Sequence, residues 1–385
     1  MTDTRPIVLT IAGHYLPGYR AGGPIRSLAN LVAALGDEVR FRIVAYDRDH
    51  GSTTPYGGLT DGWAPVGAAE VRYLTPDAGA LRQLWRLLRH ERYDTLYLQT
   101  FFDWRLALVP LLLRRLGLLP PRRTIIAPRG QFATSALALG AGRKRLYTAV
   151  AKLLLRGDET WQATAPYEVD DIKTRIPRAH IVLAPNVAAT ATAAPPRAPK
   201  RAGILRAVFI SRVVPVKNLL SAIRYFDGVR GEYSLDVYGP IENAKYWAEC
   251  QVAAQRLSGG PLTLTHRGSL SPDAVAATFA QHDLFLFPTS GENFGHVIFE
   301  ALLAGCTCLI SDRTPWRGLE AAGAGWDLPL DAPASFRAAL QWSVDADDAA
   351  LQRLSAGARA LALRYLASDE SVAASRAMLS PSSAA

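Results

Sequence analysis

Strand-length apolar runs alternate with helix-length segments along this chain, and the alternation occurs twice, which limits the fold more than any other feature. The first series is IVLTIAG (7–13), FRIVAYD (41–47), DTLYLQT (94–100), RTIIAPR (123–129), TWQATA (160–165) and HIVLAP (180–185). The second is LRAVFIS (205–211), SLDVYG (234–239), LTLTHRG (262–268), DLFLFPT (283–289) and CTCLISD (306–312). A helix-length return between strands joins parallel neighbours, so each series predicts a parallel sheet. Runs such as LFLF lack polar alternation, which places helices over both faces. The Ala/Pro-rich stretch ATATAAPPRAPKR (189–201) separates the two series and reads as a linker. The expected fold class is α/β. Two doubly wound, Rossmann-like domains facing a cleft are expected over 1–187 and 204–365, with a linker over 188–203 and a helix and tail over 366–385.

At 49% hydrophobic and 20% charged residues, the 385-residue chain can bury large cores and is not a disordered polymer. The longest apolar run, Leu106 to Leu113, is far shorter than the roughly 20 residues of a spanning helix. The N-terminus enters its first strand without a leader-like segment, which reads as a cytoplasmic protein. Cys250, Cys306 and Cys308 are too few for a disulfide framework or a structural zinc site and read as buried thiols. The net charge of +9 is uneven, with 25 Lys+Arg against 16 Asp+Glu over 1–187 and 18 of each over 188–385. An anionic partner for the first half is implied.

In open parallel sheets ligands sit beyond the carboxyl ends of the strands, which directs attention to the loops that follow them. TSGENFGHVIFEALLAG (289–305) leaves one strand and enters a helix, carrying Glu292 and Asn293 in the loop and Glu300 inside the helix. Phe294 and Gly295 open that helix, whose free N–H groups and dipole suit a diphosphate. A buried carboxylate on a largely apolar helix needs partners, such as ribose or sugar hydroxyls; the alternatives are a structural ion pair or a solvent-facing acid. SRVVPVKN (211–218) places Arg212 and Lys217 where both can reach one phosphate, in a chain with only six lysines against 37 arginines. GHYLPGYRAGGPIRS (13–27) follows the first strand, and Gly22–Gly23 permits a turn near anionic oxygens before Pro24 starts a helix. It is not a GxGxxG, which argues against a nicotinamide enzyme.

These three loops, in this order, resemble the retaining family 4 glycosyltransferases of GT-B fold, and the likeness spans both domains. GHYLPGYRAGGPIRSLANL, APRGQF, APN, ENFGHVIFEAL and ISDRTPW are most similar to bacterial members that build surface polysaccharides. The resemblance implies that Arg212 and Lys217 hold the donor's diphosphate, Glu300 its ribose and Glu292 its sugar. It implies that Gly22–Gly23 meets the phosphates from an acceptor-binding first domain, and that the end of the helical segment 350–379 packs back on that domain. Many relatives carry a histidine where this chain has Pro128–Arg129–Gly130–Gln131, so Arg129 is expected on phosphate or on an acidic acceptor. The resemblance further implies metal-independent, front-face transfer from a nucleotide-diphosphate sugar, with no other cofactor. The expected partner is a glycan or polyprenyl-diphosphate-linked acceptor at the inner face of the plasma membrane.

Asp47–Arg48–Asp49 and Asp345–Asp348 contain DxD forms, but the first follows a doubly wound strand and the second suits a helix start, so no metal is expected. The histidines, His14 among them, lack metal-ligand spacing, and Trp85, Trp104 and Trp161 read as core. LRQLWRLLRHER (81–92) interleaves bases with apolar side chains as a helix covering a sheet does, while RRLGLLPPRR (114–123) and RKRLYTAVAKLLLR (143–156) add positive charge around apolar side chains, which suits peripheral contact with an anionic membrane. No nucleic-acid module is present in the sequence. A nucleotide-sugar epimerase or phosphorylase and a non-catalytic nucleotide-sugar-binding protein are the alternative readings.

Overall fold

A computed structural model describes residues 3–59, 61–133, 137, 141–190, 196–257 and 262–380. The chain divides into two compact units, Met1–Ala189 with Asp369–Ala385, and Thr190–Ser368. Each is a Rossmann-like α/β unit built on a parallel sheet.

In the first unit the strands are β1 Ile7–Ile11, β2 Arg40–Tyr46, β3 Ala64–Val66, β4 Ala69–Leu74, β5 Thr95–Leu98, β6 Arg123–Ile126, β7 Thr160–Ala163 and β8 His180–Leu183. They lie in the order β3-β4-β2-β1-β5-β6-β7-β8, and the edge pair β3–β4 runs antiparallel while the rest are parallel. Successive residues of a strand point to opposite faces, so β1 sends Val8 into one core and Leu9 and Ile11 into the other. Helices cover both faces: α1 Gly23–Leu35, α2 Ala80–His90, α3 Val109–Arg115, α4 Ala141–Leu154 and α5 Pro166–Arg175. Helix α2 buries Leu84, Leu87 and Leu88 against the sheet and turns Arg82, Arg86 and Arg89 outward. Segment 81–92 is thus a sheet-covering helix, the role its pattern suggests without any lipid.

The second unit contains β9 Ile204–Ile210, β10 Glu232–Tyr238, β11 Thr263–His266, β12 Leu284–Phe287, β13 Thr307–Ser311 and β14 Gly325–Leu328 in the all-parallel order β11-β10-β9-β12-β13-β14. Its helices are α6 Leu219–Arg224, α7 Ala244–Gln255, α8 Val275–Ala280, α9 His296–Leu303, α10 Pro333–Asp345 and α11 Asp348–Ala367. All four residues of β12 are buried, as its unbroken LFLF predicts. The end of the Ala/Pro-rich stretch is tied into this unit: Lys200 is buried, its ammonium donating to the carbonyls of Arg201 (2.7 Å) and Val344 (3.2 Å).

The C-terminal segment 350–379, expected as one helical stretch, breaks at Asp369, whose φ of 51° lies in the left-handed region. After the break α12 Glu370–Leu379 belongs to the first unit, burying Met378 and Leu379 beside Leu28 and Leu31 of α1. Arg376 pairs with Glu38 at 2.7 Å, and Arg123 donates to the Ser380 carbonyl at 2.8 Å. The expected return of this helix to the first domain is thus present. Of the tryptophans expected in the core, Trp161 is buried and Trp85 half-buried, but Trp104 is exposed, with the Arg105 guanidinium 5.2 Å from its ring centre.

Candidate active site

In the second unit the chain turns back between β9 and β12, which are hydrogen-bonded neighbours at the middle of the sheet. The two loops leaving their carboxyl ends are therefore side by side, at the point where open α/β sheets take ligands. Direct bonds join them. The Asn218 side-chain amide donates to the Pro288 carbonyl at 3.0 Å, and the Ser290 N–H donates to the Val216 carbonyl at 2.9 Å. Asn218 itself adopts a left-handed φ of 61°, a conformation its short amide tolerates.

Lys217 closes a short 3-10 turn, Pro215–Lys217, and its ammonium forms an ion pair with Glu292. Both side chains are only 15% exposed, and the ammonium lies 5.8 Å from the centre of the Phe287 ring at the end of β12. The Glu292 N–H donates to the Arg313 carbonyl at 3.1 Å, which ties the loop to the segment after β13. Arg212 is more exposed and pairs with Glu242 at 3.1 Å. Each of the two expected phosphate-binding cations thus carries its own carboxylate. Low-dielectric surroundings strengthen the Lys217 pair relative to the exposed Arg212 pair.

Gly295 caps α9 with a φ of 75°, and a Cβ there would lie 2.8 Å from Ile298 Cδ1, so the turn into the helix requires glycine. The α9 N-terminus follows directly, its Ile298 and Phe299 N–H groups donating to the Gly295 carbonyl at 2.8 and 3.1 Å. Asn293 is half-buried in the loop, and Glu300, one turn beyond His296, is half-buried on the helix. The backbone of Phe294 lies at the opening of α9, while its ring is buried among Phe299, Trp316 and Tyr365 and its carbonyl accepts from the Trp316 indole at 2.6 Å. That ring is packing, because burying an aromatic side chain stabilises the loop more than exposing it to solvent or ligand.

The first unit places its expected residues at the same ends of its strands. Gly22 has a φ of 69° and precedes α1, in which Gly23 and Pro24 form the first turn. The loop before it is held by Asp49, whose carboxylate accepts the N–H groups of Tyr19 (3.0 Å) and Arg20 (3.1 Å). Asp47 pairs with Arg48 at 2.7 Å and accepts the Thr75 hydroxyl at 2.8 Å. Both acids of the DxD form are therefore loop latches, a role the motif alone did not indicate. Burial lowers the pKa of His14 below its ordinary 6.5; its Nδ1 lies 3.2 Å from the Arg48 carbonyl, its ring meets those of His50 and Tyr46, and the charges of His50, Asp49 and Asp103 act on it.

Arg129 follows β6 with a left-handed φ of 55°. Its guanidinium donates to Gln99 Oε1 at 2.9 Å, to Asn186 Oδ1 and to the Tyr97 hydroxyl at 3.3 Å. Gln99 and Asn186 follow β5 and β8, so the strand order gathers them from positions 30 and 57 residues away. The neighbouring Gly130 N–H donates to the fully buried Glu168 at 2.5 Å, which also accepts the Thr164 N–H and hydroxyl. Gln99, Asn186 and Glu168 were not singled out from the sequence; their positions just after strands were the available signal.

Residues 195–355 match the family described as glycosyl transferases group 1. No curated protein sequence matches the chain. Among solved structures, sucrose-phosphate synthase from Thermosynechococcus elongatus aligns with a TM-score of 0.68 at 15% identity, over 97% of this chain and 98% of that one. Anabaena Alr3699/HepE in complex with UDP-glucose gives a TM-score of 0.64 at 13% identity, over 97% and 98%. WaaG, a glycosyltransferase involved in lipopolysaccharide biosynthesis, gives 0.61 at 13% identity, over the same shares. Backbone likeness of that extent shows a shared fold. Over residues 195–355 the second unit is similar to the glycosyl transferases group 1 family, and the chain has the GT-B fold of these solved structures.

Proposed function

We propose that this chain is a retaining glycosyltransferase that moves a sugar from a nucleotide-diphosphate sugar to a lipid-linked glycan acceptor in the building of bacterial surface polysaccharide. The observation that carries this reading is the Lys217–Glu292 pair at the switch point of the second sheet, beside the α9 N-terminus that Gly295 opens. The group 1 domain over the same residues supports it, as do fold neighbours whose names mention UDP-glucose and lipopolysaccharide.

In such a transfer the bond from the anomeric carbon to the diphosphate oxygen breaks, its electron pair leaving with the diphosphate. The acceptor hydroxyl oxygen bonds to the same face of that carbon, and its proton goes to the departing diphosphate. Negative charge grows on the leaving group, where Lys217, Arg212 and the α9 N–H groups stabilise it. Positive charge grows on the sugar, where Glu292 stabilises it, while Glu300 and Asn293 accept or donate to donor hydroxyls. Gly22, Gly23 and Arg129 are assigned to phosphate and acceptor from the first unit. No metal or further cofactor enters this scheme, and the Asp47 and Asp49 carboxylates are already engaged by Arg48, Thr75 and backbone N–H groups.

Thermal denaturation with a panel of nucleoside diphosphates tests the donor site. A ligand at ~100 times its Kd stabilises by about 2.7 kcal/mol, enough for a rise of several degrees. Product analysis by NMR then tests the reaction. Transfer that needs an acceptor, keeps the donor's anomeric configuration and survives a chelator is expected. Conversion of the donor alone, a requirement for inorganic phosphate, an inverted product, or binding without turnover each overturns the assignment.

A further inference from the structure

Between Asp103 and Asp158 the sequence holds eleven Lys+Arg and no Asp or Glu over residues 104–157, a local charge larger than the net +9 of the whole chain. The same segment holds seven of the thirteen large apolar side chains exposed among the described residues. Leu116 is 62% exposed, Leu146 68% and Leu153 75%, with Leu112, Leu118 and Val150 exposed beside them. Helices α3 and α4, which carry most of these side chains, pack against each other.

On α4 the arrangement is ordered. Leu146, Val150 and Leu153 stand at i, i+4 and i+7 and so share one face. At roughly 100° per residue, Arg143 falls on one flank of that stripe and Arg145 and Lys152 on the other, and all three are exposed. The inward face is already satisfied: the Tyr147 ring lies 5.3 Å from that of Phe102, its hydroxyl donates to the Phe101 carbonyl, and Ala151 is fully buried. The outward leucines are therefore not core residues lacking a place in the fold. On α3, Arg114 turns inward to Glu159 and Asp158, while Arg115 stays outside beside Leu112 and Leu116.

We propose that this α3–α4 face of the first unit docks on the surface of an anionic lipid bilayer, with its leucines among the acyl chains and its bases at the headgroups. An apolar stripe between two rows of bases matches the interface of such a membrane, where hydrocarbon lies beneath phosphate. A nucleic acid offers phosphate but no apolar layer for the leucines, and a second copy of this face would set like charges against each other. No helix among the described residues is long and apolar enough to cross a membrane, so this contact is superficial. The inference deepens the lipid-linked acceptor of the proposed function.

Flotation of the full chain with vesicles containing about one-third phosphatidylglycerol in phosphatidylcholine tests it. Binding that falls with salt and is absent on pure phosphatidylcholine is expected. The double variant Leu146→Asp/Leu153→Asp should lower partitioning by roughly 100-fold, and Arg143→Gln/Arg145→Gln/Lys152→Gln by a similar factor on anionic vesicles only. Both variants should keep the melting temperature and the nucleoside-diphosphate shift of the parent. That shift is independent of lipid, so loss of vesicle binding and loss of the donor site remain distinguishable. Equal partitioning of parent and variants, no binding by the parent, equal binding to pure phosphatidylcholine, or a dimer that the leucine variant abolishes would each overturn the proposal.

Discussion

Replacing Lys217 by alanine separates the structural and chemical roles of its ammonium. The side chains of Lys217 and Glu292 are each 15% exposed, between a surface pair worth about 0–1 kcal/mol and a fully buried pair whose breakage costs about 3–5 kcal/mol. Lys217→Ala leaves the Glu292 carboxylate half-buried without its cation, so a loss of about 1–2 kcal/mol is expected. For a unit of this size that corresponds to a fall of about 2–8 °C in melting temperature. If the ammonium also stabilises the departing diphosphate, its removal costs about 2.7–4 kcal/mol in the transition state, or roughly 100- to 1000-fold in kcat/KM. The two effects divide in the double variant Lys217→Ala/Glu292→Gln. Neutralising the stranded carboxylate should restore most of the stability and none of the turnover. Scanning calorimetry and the rate of nucleoside-diphosphate release measure the two quantities on the same samples. Turnover within threefold of the parent, or turnover that recovers together with stability in the double variant, refutes the reasoning and leaves Lys217 as a structural partner of Glu292.

Two further outcomes follow from groups away from that pair. Asp283 precedes β12, is 1% exposed, and accepts from the Arg206 side chain at 2.8 Å and its N–H at 2.9 Å, with Arg197 at 3.5 Å. Asp283→Ala leaves Arg206 without its carboxylate, while Arg197 keeps Asp348 at 2.6 Å, and urea unfolding should show a loss of about 3 kcal/mol; a loss below about 1 kcal/mol would show that the cluster contributes little. Burial depresses the pKa of His14 below 6.5, so the folded state takes up its proton less readily than the unfolded chain. Its contribution to stability is complete above about pH 6.5 and is lost as pH falls through the folded value. The melting temperature of His14→Gln should therefore decline less than that of the parent between about pH 7 and pH 5, and parallel declines would contradict the assignment.

Most of the strands were legible because a fully covered parallel strand must be apolar along its whole length, as LFLF is in β12. The strands that were not legible break that pattern for particular reasons. In β4 Glu70 and Arg72 interrupt the apolar run, and Glu70 is bonded to Arg40 and Arg42 of the neighbouring β2. In β14 the first residue is Gly325, where any Cβ would lie 1.9 Å from the Cys308 carbonyl oxygen, so close packing of backbones selects a residue that ordinarily weakens a strand. The break at Asp369 was hidden because helix composition continues on both sides of it. The loops carrying Lys217, Glu292 and Arg129 were legible as strand-end loops, and the burial of Phe294 was not, because Trp316 and Tyr365 reach it from distant parts of the chain.

Taken by itself, the order of residues determined the kind of structure: two parallel sheets covered by helices, with chemistry confined to the loops after their strands. Those properties follow from backbone geometry over a few residues, which repeats with a period visible in any short window. Which loops meet was decided only when the strands took their places in each sheet. Lys217 and Glu292 lie 75 residues apart and touch because β9 and β12 are neighbours, and Arg129 finds Gln99 and Asn186 through the order β5-β6-β7-β8. The outward leucines of α4 belong to the same class of fact. An apolar residue on a helix carries no mark of whether it is buried, and only the packing of Tyr147 and Ala151 beneath them left Leu146 and Leu153 in solvent.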